Sequence, residues 1–524
     1  MKDPALGKEN TCPRLLIIGA GARGNAYARA VTESTNGRIA AVAEPIAYKR
    51  ETLWKNYIRD SEEPTEGQLF SGWEAFYEHE CQRRRSVKAG QDVPPGVDGV
   101  FICTLDEMHA EIITGLAPLG LAIMSEKPLA TSLDDCLKIY RCLEAVPEQS
   151  IFTIGHVLRY SPHNMLLRRL LLEETVIGDV LSMEHTEPVG WWHFSHSYVR
   201  GNWRKESTTA PSLLTKACHD IDLILWLLCS PPMSRSKDPP HLPAFVSSTG
   251  SLTYYKKSRK PPLAGTATNC LSCPAETECI YSAKKIYLET HLSKGHAGWP
   301  VHIVDPEIED CLSTMGMSAA EAKLMESLAE DYSVNTAQGE IDRRPWFGRC
   351  VYESDNDVCD DQIVTITFEE EPLAAQSGMD MPARLRGRGA KTATFHMVAF
   401  TEKQCERRGR IYGTEGEIEY DSKTIKVYDF ATGQTQIHHP HQPGGGHGGG
   451  DHGLAQQYIK AIDAVKNAGM NVAEAQRAHI GCTLEEVIRS HAMVFAAEEA
   501  RRDRKVMDWK DWWCSNIQTR LELS

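Results

Sequence analysis

A glycine-rich segment near the N-terminus has the spacing of a phosphate-binding turn. Gly19, Gly21 and Gly24 follow a run of four apolar residues and precede a helical pattern. In such a turn the first glycine permits the bend, the second lets the backbone approach a pyrophosphate, and the third lets the helix pack on the strand. We expect these glycines, with Ala22 and Arg23 between them, to bind a dinucleotide. The alternative is an ordinary βαβ unit with a tight turn.

A carboxylate suited to bind a ribose follows this turn. Glu44 lies at the end of the second apolar run, twenty residues beyond Gly24. At that place a carboxylate can accept hydrogen bonds from the adenosine ribose hydroxyls. Its charge would repel a ribose 2′-phosphate, so the sequence favours NAD, while Lys49 and Arg50 leave NADP open.

Polar residues also follow two later apolar runs. Ligands of doubly wound sheets bind at the carboxyl ends of the strands. We therefore expect a set of residues at these two ends to face the cofactor: Thr104, Leu105, His109, Glu126 and Lys127. Lys127, held before a proline, is the candidate to polarise a reacting oxygen, with its pKa lowered by burial or by Lys216. The alternative for Lys127 is a solvated surface lysine.

A helical pattern in the second half of the chain carries a polar stripe. Lys216, His219 and Asp222 are spaced i, i+3 and i+6, so they share one face of the helix. A histidine oriented by a carboxylate suits proton transfer near neutral pH. We expect His219 to be the base, oriented by Asp222, with Lys216 beside it. The alternative is a core histidine paired with Asp222.

An aromatic segment just before this helix is the candidate substrate surface. Residues 190–204 contain two histidines, two arginines and three tryptophans. Tryptophan faces can stack on sugar rings, and arginine and histidine bind hydroxyls or anions. The residues expected to contact substrate are Trp192, His193, His196, Arg200 and Trp203. The alternative is a buried aromatic anchor for the sheet.

A cysteine cluster has metal-ligand spacing. Cys270 and Cys273 form a Cys-x-x-Cys pair, and Cys279 follows six residues later. With Cys350 as fourth ligand the set would hold a structural zinc ion. Cys311 or a histidine could replace Cys350, and three reduced thiols without metal are the alternative.

The elements that position these residues divide into two domains. Over residues 1–155 strand and helix patterns alternate, which predicts a doubly wound parallel sheet of the Rossmann type. Residues 156–524 are expected to form a second, α/β domain, with short-turned antiparallel strands after residue 362 and a cysteine-containing insertion around 231–350. Asp451 is expected to cap a helix that runs to Lys466.

Composition limits the classes of partner. The chain of 524 residues has 41% hydrophobic and 24% charged residues and a net charge of −14. That charge argues against nucleic acid or an acidic membrane as main partner. No apolar run approaches the roughly 18 residues of a membrane span, and the polar N-terminus lacks a signal-peptide pattern. We therefore expect a cytoplasmic protein in which the sixteen cysteines are free thiols or metal ligands.

Together these motifs resemble the Gfo/Idh/MocA oxidoreductase family. The matching segments are residues 19–24, 43–45, 104–109, 126–130, 159–162 and 177–179. The resemblance implies a Rossmann domain followed by an α/β domain with a large open, mainly antiparallel sheet. It also implies a nicotinamide cofactor, a sugar or polyol substrate and a homo-oligomer formed through the open sheet.

The sequence departs from the family at the catalytic helix. The family motif is Asp-x-Gly-x-His-x-x-Asp, in which the first aspartate and the histidine act with the lysine of Glu-Lys-Pro. Here His219 and Asp222 match, whereas Thr215 replaces the first aspartate and Ala217 the glycine. Lys216 is an additional polar group on this helix.

The expected function is hydride transfer between a nicotinamide cofactor, NAD or NADP, and a small hydroxylated, sugar- or polyol-like substrate. Two alternatives share the cofactor. One is an NAD-dependent glycoside hydrolase that works by transient oxidation and elimination. The other is a regulator that binds the cofactor without catalysis.

Overall fold

The chain forms two compact units. The computed structural model describes residues 11–59, 61–146, 149–374, 380–443 and 447–522. Unit 1 comprises Met1–Arg169, His439–Ala492 and Ser515–Ser524, and unit 2 comprises Leu170–His438 and Met493–Cys514.

Unit 1 is built on a six-stranded parallel sheet. Its strands are β1 (Arg14–Ile18), β2 (Arg38–Ala43), β3 (Leu69–Phe70), β4 (Gly99–Ile102), β5 (Ala122–Ser125) and β6 (Phe152–Ile154). The spatial order β3-β2-β1-β4-β5-β6 is that of a dinucleotide-binding doubly wound sheet. The strands are continuous apolar runs because helices cover both faces. The predicted Rossmann architecture is confirmed.

Helices connect these strands. They are α1 (Ala22–Ser34), α2 (Ala47–Leu53), α3 (Trp73–Lys88), α4 (His109–Leu116), α5 (Leu133–Glu144) and α6 (Pro162–Arg168). Helix α1 begins directly after the glycine turn, with Gly21 as its N-cap residue. Its first N–H groups are therefore available at the carboxyl end of β1.

Unit 2 is built on a nine-stranded sheet. Its strands are β7 (Val180–Pro188), β8 (Phe245–Ser251), β9 (Asp361–Phe368), β10 (Lys391–Val398), β11 (Arg408–Gly413), β12 (Gly416–Tyr420), β13 (Ile425–Asp429), β14 (Thr435–His438) and β15 (Met507–Asp508). The order is β14-β13-β12-β11-β7-β10-β9-β8-β15. Only the β7–β10 pairing is parallel among these described strands. The expected large, mainly antiparallel sheet is confirmed.

One long helix supports the polar residues of unit 2. The helices of this unit before residue 439 are α7 (Trp191–Phe194), α8 (Ser212–Leu228), α9 (Val301–Val304), α10 (Ile308–Met315), α11 (Met317–Ala329), α12 (Gln338–Arg343) and α13 (Met381–Leu385). Helix α8 is buried along nearly its whole length and contacts β7 and β10. A helix that is buried on every side must pair its polar groups internally.

The insertion in unit 2 has bounds that differ from the sequence prediction. It lies between β8 and β9, and a separate hydrophobic cluster that includes Tyr287, Leu324 and Phe347 stabilises it. Strand β8 lies within the range 231–350 that was predicted for the insertion. Its sequence is rich in serine because only one face of the strand is buried, at Val246 and Ser248.

The C-terminal helices belong to both units. The last helices are α14 (Gly450–Lys466), α15 (Val472–Ala475), α16 (Leu484–Asp503), α17 (Trp509–Trp513) and α18 (Thr519–Glu522). Residues 439–492 and 515–524 belong to unit 1, and residues 493–514, with the end of α16 and all of α17, belong to unit 2. In α14, the Tyr458 hydroxyl donates to the Val100 carbonyl at 3.1 Å, and its ring lies edge-on to Phe101 at 5.0 Å. The chain is thus not divided by a single boundary at residue 155. A sequence pattern can show that a helix is amphipathic. It does not show which surface of the protein the apolar face of that helix covers.

None of the described helices combines the length and the apolar composition that crossing a bilayer requires.

Candidate active site

The three glycines of the turn are required for different physical reasons. Gly19 has a φ of +92°, and a Cβ there would lie 2.5 Å from the Cys103 carbonyl oxygen. A Cβ on Gly24 would lie 2.0 Å from the Gly19 carbonyl oxygen. A Cβ on Gly21, by contrast, would have no neighbouring atom of the described residues within 4 Å. The fold requires Gly19 and Gly24, whereas Gly21 leaves open space in which a pyrophosphate can approach the backbone.

Glu44 is fixed beneath this turn. Its Oε2 accepts from the Ala20 N–H at 2.8 Å, and its Oε1 accepts from the Ile46 N–H at 2.9 Å. The residue is buried. Each carboxylate oxygen can accept a further hydrogen bond, so the geometry fits a ribose hydroxyl. The Arg50 guanidinium donates to the Glu44 carbonyl instead of extending into open solvent.

Arg23 is a structural cation in this arrangement. Its Nε lies 2.6 Å from Glu126 Oε1, and its Nη2 lies 2.8 Å from Asp451 Oδ1. The sequence argument placed Arg23 and Glu126 among the cofactor contacts, but the structure pairs them with each other. Burial alone would raise the pKa of Glu126, yet the Arg23 charge holds it below its ordinary value.

Asp451 has a different partner from the one expected. The N-cap of α14 is Gly449, and no side chain caps this helix. The two carboxylate oxygens of Asp451 accept instead from Nη1 and Nη2 of Arg23, at 3.1 and 2.8 Å. A charged bidentate partner is stronger than a backbone N–H, which explains why the capping prediction was wrong.

The residues at the ends of β4 and β5 have separate roles. The Thr104 hydroxyl oxygen is buried and has no hydrogen-bond partner among the described residues, so it can serve a ligand. Leu105 is half exposed, whereas His109 is completely buried. His109 Nδ1 lies 2.7 Å from the Pro128 carbonyl oxygen. His109 therefore supports the turn that carries Lys127 and is not itself at the surface that a cofactor would contact.

In unit 2, Lys216 lies in a buried ionic network. Its Nζ is 3.2 Å from Glu187 Oε1 and 3.0 Å from Cys405 Sγ. Burial alone would lower the pKa of Lys216, but the neighbouring Cys405 and Glu187 raise it above its ordinary value. Lys216 is therefore a permanent ammonium at neutral pH and cannot be the base.

Arg407 joins the two carboxylates of this network. Its Nη2 lies 3.0 Å from Glu187 Oε2, and its Nε lies 2.6 Å from Asp220 Oδ1. With Lys216, the network contains two cations and two carboxylates, so its charges balance. Buried charges are tolerated when they are paired in this way.

His219 is held by Asp220. Its Nδ1 lies 2.8 Å from Asp220 Oδ2, and its Nε2 lies 3.4 Å from Arg407 Nη2. This geometry fits a neutral imidazole that donates from Nδ1 and keeps Nε2 as acceptor. The sequence argument assigned the orienting role to Asp222, which is buried on the same helix. Helical spacing predicts Asp222 as the partner, whereas the carboxylate 2.8 Å from His219 Nδ1 belongs to the adjacent Asp220.

Asp220 has a second histidine partner. His185 Nε2 lies 2.9 Å from Asp220 Oδ1, and His185 Nδ1 lies 2.7 Å from the Tyr420 hydroxyl. Burial would raise the pKa of Asp220, but Arg407 and His219 hold it well below its ordinary value. The carboxylate thus stays ionised and can stabilise a positive charge that forms on His219.

Three of the five expected substrate residues pack around one ring: the centroids of Trp192, His193 and His196 lie 5.1, 5.1 and 5.6 Å from that of Trp299. His193 Nδ1 lies 3.6 Å from Cys405 Sγ, and so belongs beside the Lys216 network, with Trp192 next to it in the chain. His196 and Arg200 are buried, and burial, assisted by Arg200, lowers the pKa of His196 to about 3. Trp203 stacks on Tyr198, with ring centroids 5.7 Å apart.

The four cysteines lie around one cavity, but their sulfur atoms are not arranged to bind a single zinc ion. Cys270, Cys273, Cys279 and Cys350 line one cavity of about 270 Å³ together with Arg200. No three of these sulfur atoms lie within 4.8 Å of one another in the described structure, so the geometry does not support the expected single zinc ion. Cys311 lies in the hydrophobic cluster of the insertion.

Sequence reasoning missed Glu187, Asp220, Cys405 and Arg407. Glu187 could have been found, because it lies at the same inward-facing parity of β7 as the buried Met183 and His185. No local pattern marks Arg407 or Cys405. Both lie just before β11, where Cys405 has a positive φ of 58°.

Comparisons with known proteins agree with the architecture. Residues 14–155 match the family model GFO_IDH_MocA, described as an oxidoreductase family with an NAD-binding Rossmann fold. The rhizopine catabolism protein MocA of Rhizobium meliloti is 32% identical over 155 residues, which is 30% of this chain and 41% of that protein. An inositol 2-dehydrogenase of Rhizobium meliloti (strain 1021) is 27% identical over 168 residues, 32% of this chain and 42% of that protein. The matched segments thus span less than half of these relatives.

Solved structures extend the likeness in fold to both units. A levoglucosan dehydrogenase in complex with NADH and levoglucosan superimposes with a TM-score of 0.55 at 14% identity, covering 95% of this chain and 99% of the other. An oxidoreductase from Agrobacterium radiobacter in complex with NAD⁺, L-tartaric acid and magnesium gives 0.54 at 12% identity, covering 95% and 98%. At such identity the likeness shows the fold alone. Over residues 14–155 the chain is thus similar to the NAD-binding Rossmann domain of the Gfo/Idh/MocA family of oxidoreductases.

Proposed function

We propose that this chain is an NAD(P)-dependent oxidoreductase that transfers hydride between the nicotinamide and a carbon of a small hydroxylated substrate. The observation that carries the proposal is the buried network around His219, in a chain with an NAD-binding Rossmann domain. His219 has one nitrogen held by an ionised carboxylate and the other with acceptor character, as a general base requires.

The cofactor would be held by residues of unit 1. The open backbone at Gly21 and the first N–H groups of α1 would receive the pyrophosphate. Glu44 would accept from the ribose hydroxyls, and the Thr104 hydroxyl, unpartnered among the described residues, is a further contact. When bound, the nicotinamide supplies the hydride acceptor or donor. NAD is preferred in this proposal because a 2′-phosphate would lie against the Glu44 carboxylate.

The proton would be handled by residues of unit 2. Oxidation of an alcohol releases the hydroxyl proton as the hydride leaves, and His219 Nε2 would accept it. Asp220 then stabilises the imidazolium that forms. Lys216 and Arg407 stay charged throughout, so they would stabilise negative charge on the substrate oxygen. In this scheme Lys216 provides a positive charge on the helix in which Thr215 stands in place of the family's first aspartate.

The substrate class follows from the residues beside this network. Trp192, Trp299 and His193 form an aromatic cluster, with the two tryptophan rings 5.1 Å apart and partly exposed. Such rings favour the flat apolar face of a sugar or cyclic polyol. The relatives named as inositol 2-dehydrogenase and levoglucosan dehydrogenase make cyclic polyols and anhydrosugars the first compounds to screen.

The proposal is tested on the purified full-length chain. Bound nucleotide is released and identified by mass spectrometry, and a panel of polyols and sugars is screened for formation of reduced nicotinamide. His219→Asn is expected to lower kcat by about 100-fold or more with unchanged nucleotide binding, and Lys127→Ala to lower it as well. His439→Asn, which changes an exposed histidine, is the control. Unchanged turnover in His219→Asn would refute the assignment of the base.

The name of one relative is relevant to the alternative of an NAD-dependent glycoside hydrolase. A 2,7-anhydro-N-acetylneuraminate hydratase of Escherichia coli (strain K12) is 30% identical over 133 residues, 25% of this chain and 34% of that protein. Turnover of a glycoside or anhydrosugar without added NAD and without net NADH would favour this kind of chemistry. Nucleotide binding with no turnover of any compound would favour a regulator.

A homo-oligomer formed through the nine-stranded sheet is also part of the proposal. The outward face of this sheet exposes large apolar side chains, including Ile363 and Tyr428. Light scattering during size-exclusion chromatography gives the mass in solution, and Ile363→Lys is expected to reduce it. A monomeric wild-type chain would contradict this part.

Cytoplasmic location is likewise a proposal. Its sequence support includes the N-terminal segment, of which residues 1–10 lie outside the described part of the chain. Fractionation of cells that express a tagged chain tests it, and recovery in the secreted fraction would contradict it.

A further inference from the structure

We propose that Cys270, Cys273, Cys279 and Cys350 bind a metal centre as thiolates, and that the buried Arg200 balances its negative charge. The four cysteines and Arg200 line the same cavity of about 270 Å³ in the insertion of unit 2. This centre lies outside the residues proposed for hydride transfer.

The backbone brings the two ligand segments together. Asn269 and Arg349 form an isolated antiparallel bridge. Next to it, the Cys270 N–H donates to the Gly348 carbonyl and the Cys350 N–H to the Thr268 carbonyl, each at 2.8 Å. The fourth cysteine, 71 positions beyond Cys279 in the sequence, is therefore held beside the first by main-chain hydrogen bonds.

Arg200 supplies the strongest argument for negative charge in the cavity. It is 1% exposed, and its Nε and Nη2 donate to the carbonyl oxygens of Arg349 and Tyr281 at 2.6 and 2.7 Å. Nη2 also lies 3.3 Å from Cys270 Sγ, and Nη1 is buried without a hydrogen-bond partner among the described residues.

Within the described part of the chain, no carboxylate lies at ion-pair distance from Arg200; the nearby Asp355 and Asp331 pair with Arg204 and Arg349. A buried cation without a counter-charge is costly. Four thiolates around one Zn²⁺ leave a net charge of about −2, and thiolate-bound iron–sulfur clusters are also anionic. A metal–thiolate centre would therefore provide the charge that Arg200 lacks.

Two kinds of centre share this chemistry, and the sulfur spacing favours one. A tetrahedral zinc ion with Zn–S bonds of about 2.3 Å requires sulfur atoms about 3.8 Å apart. Of these four cysteines, all within the described residues, no three have sulfurs within 4.8 Å of one another. An iron–sulfur cluster is wider because its cysteines bind different iron atoms. The geometry therefore favours an iron–sulfur cluster, whereas zinc would require the cavity to contract.

Binding of the metal centre would release protons and would also connect two segments of the insertion. Each thiol that becomes a thiolate releases its proton to solvent as the metal–sulfur bond forms. The segment with Cys270, Cys273 and Cys279 contains only short single-turn helices among its described residues. A centre there would fasten this segment to the one that carries Cys350, beside the hydrophobic cluster of the insertion.

The test uses the full-length chain purified without oxygen. Zinc, iron and acid-labile sulfide are measured per chain, and the visible spectrum is recorded. About four irons with matching sulfide per chain support the proposal, whereas about one zinc per chain without iron would overturn it. A chain without metal that also fails to take up Fe²⁺ with sulfide overturns it as well.

Variants assign the ligands. Cys273→Ser, at a partly exposed position, is expected to lose most of the metal, whereas Cys311→Ala in the neighbouring hydrophobic cluster is expected to keep it. Equal metal content in Cys273→Ser and the wild type would overturn the ligand set. If Cys273→Ser does not fold, X-ray absorption at the metal edge of the wild-type chain still decides: sulfur neighbours support the proposal, and only oxygen or nitrogen neighbours overturn it.

Discussion

Arg23 Nη2 lies 2.8 Å from Asp451 Oδ1, although the two residues are 428 positions apart. The same guanidinium binds Glu126, the residue before Lys127. One cation thus connects the first turn of α1, the end of β5 and the start of α14, all within unit 1. We infer that this ion pair positions the dinucleotide turn without itself contacting phosphate.

Asp451→Asn tests this role. Removal of one carboxylate leaves the partly buried Arg23 with a single charged partner, so we expect the free energy of unfolding to fall by about 1–2 kcal/mol. Nucleotide binding should weaken as well, because the start of α1 is less well fixed. Thermal unfolding with and without NAD measures both effects. Asp463→Asn on the same helix is the control, and equal behaviour of the two variants would contradict the positioning role.

Two glycines of the turn, Gly21 and Gly24, should respond differently to substitution by valine. Gly21 has backbone angles that any residue can adopt and open space around it. Gly21→Val should therefore fold like the wild type but raise the Kd for NAD by about tenfold or more, because its side chain occupies the pyrophosphate position. Gly24→Val should instead destabilise the fold, since its Cβ would overlap the Gly19 carbonyl. Calorimetric titration and thermal unfolding separate the two. Normal NAD binding by Gly21→Val would place the cofactor elsewhere.

The orienting carboxylate of His219 can be identified by a pair of variants. Asp220→Asn should lower kcat by about 100-fold or more, because the imidazolium loses its counter-charge. Asp222→Asn should have a smaller effect on kcat, since the carboxylate at 2.8 Å from His219 belongs to Asp220. The pH dependence of kcat is the second readout. The acidic limb should move to lower pH in Asp220→Asn, because the pKa of His219 falls without that carboxylate. The reverse ranking of the two variants would restore the assignment from helical spacing.

The difference between Asp220 and Asp222 shows which part of the site could not be predicted from the sequence. Local pattern was enough for the parallel sheet, the glycine turn and Glu44, because each depends on residues close together in the chain. It was also enough to place Lys216 and His219 on one buried helix. The partners of these residues are non-local: Glu187 comes from β7, and Arg407 from the segment before β11. Only tertiary packing decides which charges meet.

A buried lysine predicts how stability changes with pH. Burial lowers the pKa of Lys391 to about 8, with Arg388 acting in the same direction. The unfolded chain keeps this proton up to about pH 10.4, so between the two values it binds more protons than the folded chain. The contribution of Lys391 to stability therefore rises with pH over that window and is unfavourable below pH 8.

Lys391→Met should consequently raise the free energy of unfolding at neutral pH by about 1–3 kcal/mol. The gain should shrink as the pH rises towards 10. Denaturant unfolding at several pH values measures it, with Lys426→Met on the exposed face of β13 as the control. A loss of stability at pH 7 would show that the hydrogen bond from Lys391 Nζ to the Gly387 carbonyl outweighs the cost of burying the charge.

In the proposed reaction, this chain uses a nicotinamide cofactor and His219 to oxidise or reduce a hydroxylated substrate. The most direct measurement follows reduced nicotinamide during turnover of a cyclic polyol or sugar by the wild type and by His219→Asn at equal nucleotide saturation. We predict steady formation of reduced nicotinamide in the wild type and almost none in the variant, which still binds NAD. A wild-type chain that binds no dinucleotide, or a variant as active as the wild type, would contradict this function.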